Sequence, residues 1–164
     1  MPRLAFCLAA LAFLALPATA QPGDRESLGV YGTWAAFRDA TPARCYAIAK
    51  PRGANSQAAF ASVATWPGRG IRSQVHLRLA RPVAKDRAPV LRVGQRRFEL
   101  AASGRDAWAK DGAMDAAIVA ALRSAKSFSV TARAAKGGSF TSRYDLEGVA
   151  TAMDAAVVAC SNRR

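Results

Sequence analysis

Between Ile71 and Ala80 the sequence IRSQVHLRLA alternates: Ile71, Ser73, Val75, Leu77 and Leu79 are interleaved with Arg72, Gln74, His76 and Arg78. A period of two with one charged side is the signature of a strand whose one face is buried and whose other face is wet. It commits this part of the chain to an antiparallel sheet lying over an apolar core. Val90 to Leu100 (VLRVGQRRFEL) continues the theme as a hairpin turning at Gly94-Gln95, since glycine in first place of a two-residue loop suits a type II′ turn. That register puts Leu91 opposite Phe98 and Arg92 opposite Arg97. Two arginines facing across a hairpin repel one another, which favours a longer loop or a bound anion.

Other segments fill in the pattern. Leu28 to Phe37 reads as an aromatic strand interrupted at Gly32, Cys45 to Ala49 as a short strand ended by Pro51, and Ser127–Ala134 and Ser139–Leu146 as two strands joined across Lys136-Gly137-Gly138. Asp111 to Ala125 reads as a helix, with Met114, Ile118 and Leu122 every fourth residue and Asp111 as its cap. Val149 to Cys160 is alanine-rich with Met153, Val157 and Cys160 at helical spacing. Five or six short strands with two short helices suggest a single mainly β sandwich over residues 28–164. The alternative is an α+β layer in which both helices cover one face of a single sheet.

The first 20 residues read as a secretory signal peptide: Arg3 gives the basic start, Leu4 to Leu16 the apolar run, and Ala18-Thr19-Ala20 the small-residue cleavage site. As a helix that run would rise only about 20 Å, short of the hydrocarbon core, and no later segment reaches membrane-spanning length. Residues 21–27 read as a flexible arm. Cleavage would leave two cysteines, Cys45 and Cys160, in an oxidising compartment. They permit one intramolecular bond; two separately buried thiols or intermolecular bridges are the alternatives.

Three stretches carry a family resemblance: Tyr31-Gly32-Thr33-Trp34 with Cys45-Tyr46, the strand and hairpin block through Phe98-Glu99-Leu100, and the ending Tyr144-Asp145-Leu146-Glu147-Gly148-Val149-Ala150-Thr151-Ala152-Met153-Asp154. Together they resemble the invasion-associated locus B family of exported bacterial proteins. The resemblance implies an immunoglobulin-like β-sandwich in the periplasm or cell envelope, associated in some pathogens with entry into host cells. It transfers no catalytic residues. The chain lacks the second cysteine that relatives often place soon after the position of Trp34, so the resemblance implies that Cys45 pairs with Cys160 instead of locally.

Side-chain chemistry gives little support for catalysis. There is no Gly-rich phosphate loop, no HExxH, no CxxC and no GxSxG, and the lone His76 with two mature cysteines offers no metal-ligand set. No cofactor is implied. Asp111 and Asp115, four apart on one helix, read as capping and solvent-facing. Asp106 and Asp111 near Trp108 support one rival: an enzyme acting on envelope glycans. A structural stress-response envelope protein is another.

Charge is more telling. The chain has 24 Lys and Arg against 11 acids. Between Ala40 and Phe98 lie twelve cations and one acid, Asp86. Arg72 and Arg78 share one strand face in the alternating reading, and Arg92 and Arg97 the outer face of the hairpin. If those strands adjoin, the four guanidiniums form a strip suited to phosphate or carboxylate. The expected partner is then an anionic envelope component, such as lipopolysaccharide or an acidic glycan, or a host surface. Nucleic acid is not expected of an exported chain. The expected address is periplasmic, with secretion or surface display as the alternative.

Overall fold

The first hairpin already departs from the single interrupted strand read above. In the computed structural model, which describes residues 25–53 and 58–161, the chain opens with β1 (Arg25–Tyr31) and β2 (Trp34–Asp39), folded back at Gly32-Thr33. The signal segment Met1–Ala20 and residues 21–24 of the expected arm lie outside the described residues. Arg25 to Ser27, also assigned to that arm, are strand instead, held in register by Arg25 against Asp39 and Glu26 against Arg38.

Next come β3 (Arg44–Ala49), β4 (Phe60–Trp66), β5 (Ile71–Arg78), β6 (Val90–Val93), β7 (Arg96–Glu99), β8 (Ala101–Ser103) and β9 (Asp106–Trp108). The helix α1 (Gly112–Ser124), β10 (Ser127–Arg133), β11 (Ser139–Asp145) and α2 (Val149–Ser161) complete the described chain. The Gly94 hairpin has the expected register, Leu91 opposite Phe98 and Arg92 opposite Arg97, with Gly94 at φ +56°. Three strands were not expected from the sequence: β4, and the small hairpin β8–β9 turning at Gly104-Arg105.

The strands form two antiparallel sheets. The larger has the order β1-β2-β3-β4-β5-β9-β8, and the smaller β11-β10-β6-β7. The first five strands are a plain meander, each paired with the next in sequence. The fold is thus mainly β, two sheets with two helices, and it combines both expected layouts. Both helices rest on the inner face of the larger sheet, α2 against β1 to β4 and α1 against β5, and the smaller sheet covers the rest.

Alanine explains how α2 comes so close. Ala36, Ala47, Ala49 and Ala61 line the inner face, and Ala152 and Ala156 the helix, all buried. Side chains this small let helix and sheet approach without voids. Larger residues fill the other half of the core: Val75, Leu77, Leu91, Ile118, Leu122, Phe128 and Tyr144, with Phe128 and Tyr144 stacked at 4.5 Å. Full burial of Ile118 alone is worth on the order of 2–3 kcal/mol. Asp111 caps α1 as expected, accepting from the Met114 N–H at 2.7 Å, a contribution of about 1 kcal/mol.

Cys45 and Cys160 are bonded, with Cα atoms 5.8 Å apart and 115 positions between them in sequence. The bond ties the end of α2 to β3, beneath Ala156. Among the described residues, no helix is long and apolar enough to cross a membrane.

A second tie joins the same regions without covalent bonds. The Thr33 N–H donates to the Glu147 carbonyl at 3.1 Å, and the Trp34 indole N–H to the Asp145 carbonyl at 2.9 Å. The β1–β2 turn therefore docks on the junction of β11 and α2. Two of the motifs quoted above, Tyr31-Gly32-Thr33-Trp34 and Tyr144 to Gly148, meet at this point although more than 100 positions separate their hydrogen-bonding residues.

Asp115 departs from the solvent-facing role expected of it. Strand β9 ends opposite His76, so the next N–H along β5, that of Val75, has no strand partner on that side. The Asp115 carboxylate reaches over from α1 and accepts it at 2.7 Å. Burial raises the Asp115 pKa, the Val75 hydrogen bond opposes this, and the negative charge of Asp111 adds to it, for a net increase. A carboxyl raised on folding stabilises below its unfolded pKa, and that contribution is lost as pH rises through the folded value. Asp115→Asn keeps the acceptor oxygen and removes the charge. It is expected to be more stable than the parent in urea at neutral pH, with the advantage vanishing as pH falls below the carboxylate range. A variant less stable than the parent at neutral pH would refute the assignment.

Candidate ligand-binding face

The inner face of the larger sheet is covered, but its outer face is not covered by any described element. Register shows what that face carries. Pairing places Ile48, Ser62, His76 and Trp108 in one row across β3, β4, β5 and β9. Tyr46, Ala64 and Gln74 form the next row, flanked by Phe37 on β2. Arg25, Asp39 and Arg44 continue beyond it toward Trp66. Large rings and arginines thus stand on either side of Ser62 and Ala64, two small residues on the central strand β4. The result is a trough of about 680 Å3 with a floor of Ser62 and Ala64.

At one end the trough holds a stack of cations and rings. The Arg44 guanidinium lies 4.6 Å from the Tyr46 ring centre and 5.2 Å from that of Trp66; Arg69 covers Trp66 at 4.9 Å. Arg25 sits 5.8 Å from both Phe37 and Tyr46. Each such contact is worth about 0.5–1 kcal/mol when exposed, which biases the guanidiniums toward the rings. Arg69 reaches its position from the 3-10 turn Pro67–Arg69, closed by Gly70 at φ +65°.

One carboxylate serves this end. Asp39, largely buried, accepts from Arg25 Nε at 2.9 Å, Arg44 Nε at 2.8 Å and the Tyr46 hydroxyl at 3.4 Å. Burial alone would raise its pKa, but hydrogen bonds and charge from the two arginines outweigh that and hold it below the ordinary value. Asp39 therefore stays ionised and balances one of the two guanidiniums. Arg69 has no acidic partner among the described residues. The end carries a surplus of positive charge.

The other end is aromatic. His76 stacks on Trp108 at 5.4 Å and meets Phe60 edge-on at 5.3 Å. Asp106 orients it, with His76 Nε2 2.9 Å from one carboxylate oxygen and Arg78 Nη1 donating to the other at 2.8 Å. Burial raises the Asp106 pKa, but His76 and Arg78 together lower it more. A carboxylate held in the ionised form is poorly suited to be the general acid of glycoside cleavage. Asp111 is not in this trough; it caps α1. The two carboxylates of the glycan-enzyme reading therefore do not converge. Trp108 is part of strand β9, half-buried, stacked on His76, and it lines the trough.

The four arginines expected to form one strip are divided between the two sheets. Arg78 belongs to the larger sheet and is engaged with Asp106. Arg72 is thrown out of the alternation by a bulge: Ile71 pairs with Trp66 and Gln74 with Ala64, leaving Arg72 and Ser73 opposite Thr65. Ser73 takes φ +53° there, and its N–H donates to Thr65 Oγ1 at 3.3 Å. Arg92 and Arg97 face each other as expected, but on the smaller sheet, with Arg97 bound to Glu99 at 2.9 Å. A cavity of about 770 Å3 beside Arg97 also contains Arg87 and Arg133, but Asp86 and Glu99 as well and no aromatic ring. Arg81 and Arg96 each lie over one ring, Phe140 and Phe98, but the arginines that gather with shared rings in the trough are Arg25, Arg44 and Arg69, which the sequence does not single out. A signal was present: Arg44 and Arg69 each lie within three residues of Tyr46 or Trp66.

No metal-ligating cluster of three or more His, Cys, Asp or Glu occurs among the described residues. No family model matches the chain, and no curated protein or solved structure matches it.

Proposed function

We propose that this is an exported, non-enzymatic envelope protein that binds an anionic component of the envelope or of a host surface through the outer face of its larger sheet. The observation that carries the reading is the trough, left uncovered by the described residues, in which Arg25, Arg44 and Arg69 lie against Tyr46 and Trp66 with Asp39 as their one acidic partner among the described residues. Guanidiniums biased toward ring faces suit bidentate recognition of carboxylate or phosphate. A disulfide between Cys45 and Cys160 is compatible with an oxidising compartment, and the signal-like start of the chain agrees with export to the periplasm. The resemblance to the invasion-associated locus B family supports the same address.

The test is retention on immobilised lipopolysaccharide, which offers both phosphate and acidic sugar. The mature chain is expected to bind at low ionic strength and to elute as salt rises. Arg44→Gln with Arg69→Gln should weaken retention at least tenfold, the scale of one lost charge-assisted hydrogen bond. Arg92→Gln with Arg97→Gln should leave it unchanged. No retention by the parent at low salt, or loss only in the Arg92 and Arg97 pair, overturns the reading.

A further inference from the structure

The trough has more in it than an anion site needs. A phosphate or carboxylate would be satisfied by Arg44 and Arg69 and would leave the opposite end unused. That end presents the half-buried rings of Phe60 and Trp108 with His76 between them. The floor between the two ends is low and partly polar: the Ser62 hydroxyl, the Ala64 methyl and the Gln74 amide. Flat apolar rings beside hydroxyl, amide and imidazole groups match one ligand chemistry well. The C–H faces of a sugar ring pack against aromatic rings, and its hydroxyls take up neighbouring donors and acceptors.

Resting on the anion-binding reading above, we infer that the ligand is an acidic oligosaccharide lying across the strands, its carboxylate on Arg44 and Arg69 and a sugar ring against Trp108. The dimensions agree. Tyr46 and Trp108 lie on β3 and β9, with β4 and β5 between them. At about 4.8 Å per strand the trough crosses roughly 14 Å, the reach of about three linked sugar rings. Its volume, about 680 Å3, is of the size ligand sites commonly have. Asp39 and Asp106 serve as orienting groups, one setting Arg25 and Arg44 and the other His76 and Arg78, and each is engaged by at least one arginine.

The rival occupant is an anionic lipid. Past Ile48 and Phe60 the trough runs into an apolar groove of about 450 Å3, lined by Val30, Ala35 and Phe37, which an acyl chain would fit. The two occupants differ in what they need from the floor and from Trp108. A lipid headgroup needs only the arginines and the groove, whereas a sugar chain needs a clear path over Ser62.

Binding of tetragalacturonate to the mature chain, followed by tryptophan fluorescence and calorimetry, separates them. The acidic tetramer is expected to saturate, and its methyl ester, with the same rings but no charge, to bind at least tenfold more weakly. Ser62→Phe, which blocks the floor, and Trp108→Ala, which removes the ring, should each weaken the tetramer at least tenfold. Near-ultraviolet circular dichroism checks that both variants are folded. Phosphatidylglycerol vesicles, if bound at all, should be indifferent to Trp108→Ala. Absence of saturable tetramer binding, or equal binding by a folded Ser62→Phe, overturns the inference. Arginine-dependent vesicle binding without tetramer binding overturns the sugar assignment and leaves the anion-binding reading standing. Failure of tetramer, vesicles and lipopolysaccharide together removes both.

Discussion

Replacing Cys45 and Cys160 together by alanine is expected to lower the unfolding free energy by about 4 kcal/mol. The bond spans 115 positions. In the chain-entropy account a closed loop of that length removes about 4–5 kcal/mol of freedom from the unfolded chain. Native packing should change little, because both sulfurs sit in a small cluster with Ala156 that is separate from the main core. The comparison is urea unfolding of the oxidised parent, the reduced parent and the double alanine variant. The latter two should agree within about 1 kcal/mol, since both lack the same constraint. A loss below about 1 kcal/mol in the double variant would show that the bond does not hold the fold. For a domain of this size the expected loss is a large part of the whole stability. Reduction should therefore bring the protein close to its unfolding threshold at physiological temperature.

Gly148→Ala should be as damaging through a different cause. Gly148 takes φ +81°, and a Cβ there would lie 1.9 Å from the Tyr31 carbonyl oxygen and 2.3 Å from its carbon. Those are backbone atoms, so no side chain can rotate away. The left-handed conformation itself costs roughly 1–2 kcal/mol for alanine. The steric overlap also pushes the β1–β2 turn off the start of α2, with loss of the Thr33 and Trp34 hydrogen bonds to Glu147 and Asp145. A total loss of about 4 kcal/mol or more is expected, at the extreme of single substitutions. Gly32→Ala probes the same contact from the other side, since its Cβ would lie 2.6 Å from the Glu147 carbonyl oxygen. Gly104→Ala is the control: its φ is +58°, but nothing lies within 4 Å of its Cβ. It should lose only the conformational part, about 1–2 kcal/mol. If Gly148→Ala and Gly104→Ala melt together, close approach at the turn is not what demands glycine.

The two ties reinforce one region. The disulfide anchors the end of α2 to β3, and the turn at Gly32 anchors its beginning to β1 and β2. Between them α2 lies on alanines, which supply little apolar area per residue. Val149 and Met153 add the larger apolar contacts of the helix. The outer face of the strands beneath it is the face that bears Tyr46, Trp66 and the arginine stack.

Most elements were legible because their signals are local. The alternation of Gln74 to Arg78, the Gly94 hairpin, the Asp111 cap and the fourfold spacing of Met114, Ile118 and Leu122 each depend on neighbours within a few residues. Strand β4 was missed for the converse reason. Its core-facing residues include Ala61 and Val63 and its outer ones Ser62 and Ala64, so its hydrophobic contrast is weak even though Phe60, Val63, Thr65 and Trp66 favour a strand. It is a strand because β3 and β5 pair with it on both sides. The weak residues that hid β4 are the same ones that leave room for the trough.

Composition and short-range periodicity already specify a mainly β chain with two helices, two cysteines able to pair and a strongly basic middle. The tertiary structure decided which arginines meet. A bulge at Arg72 and Ser73 and the division of the strands into two sheets dispersed the expected four. Strand register then brought Arg25 and Arg44 together, and the 3-10 turn after β4 added Arg69, around two aromatic rings. Charge counted along a chain is a sum, whereas a binding site is set by distances across strands, and those distances follow from pairing partners far apart in sequence.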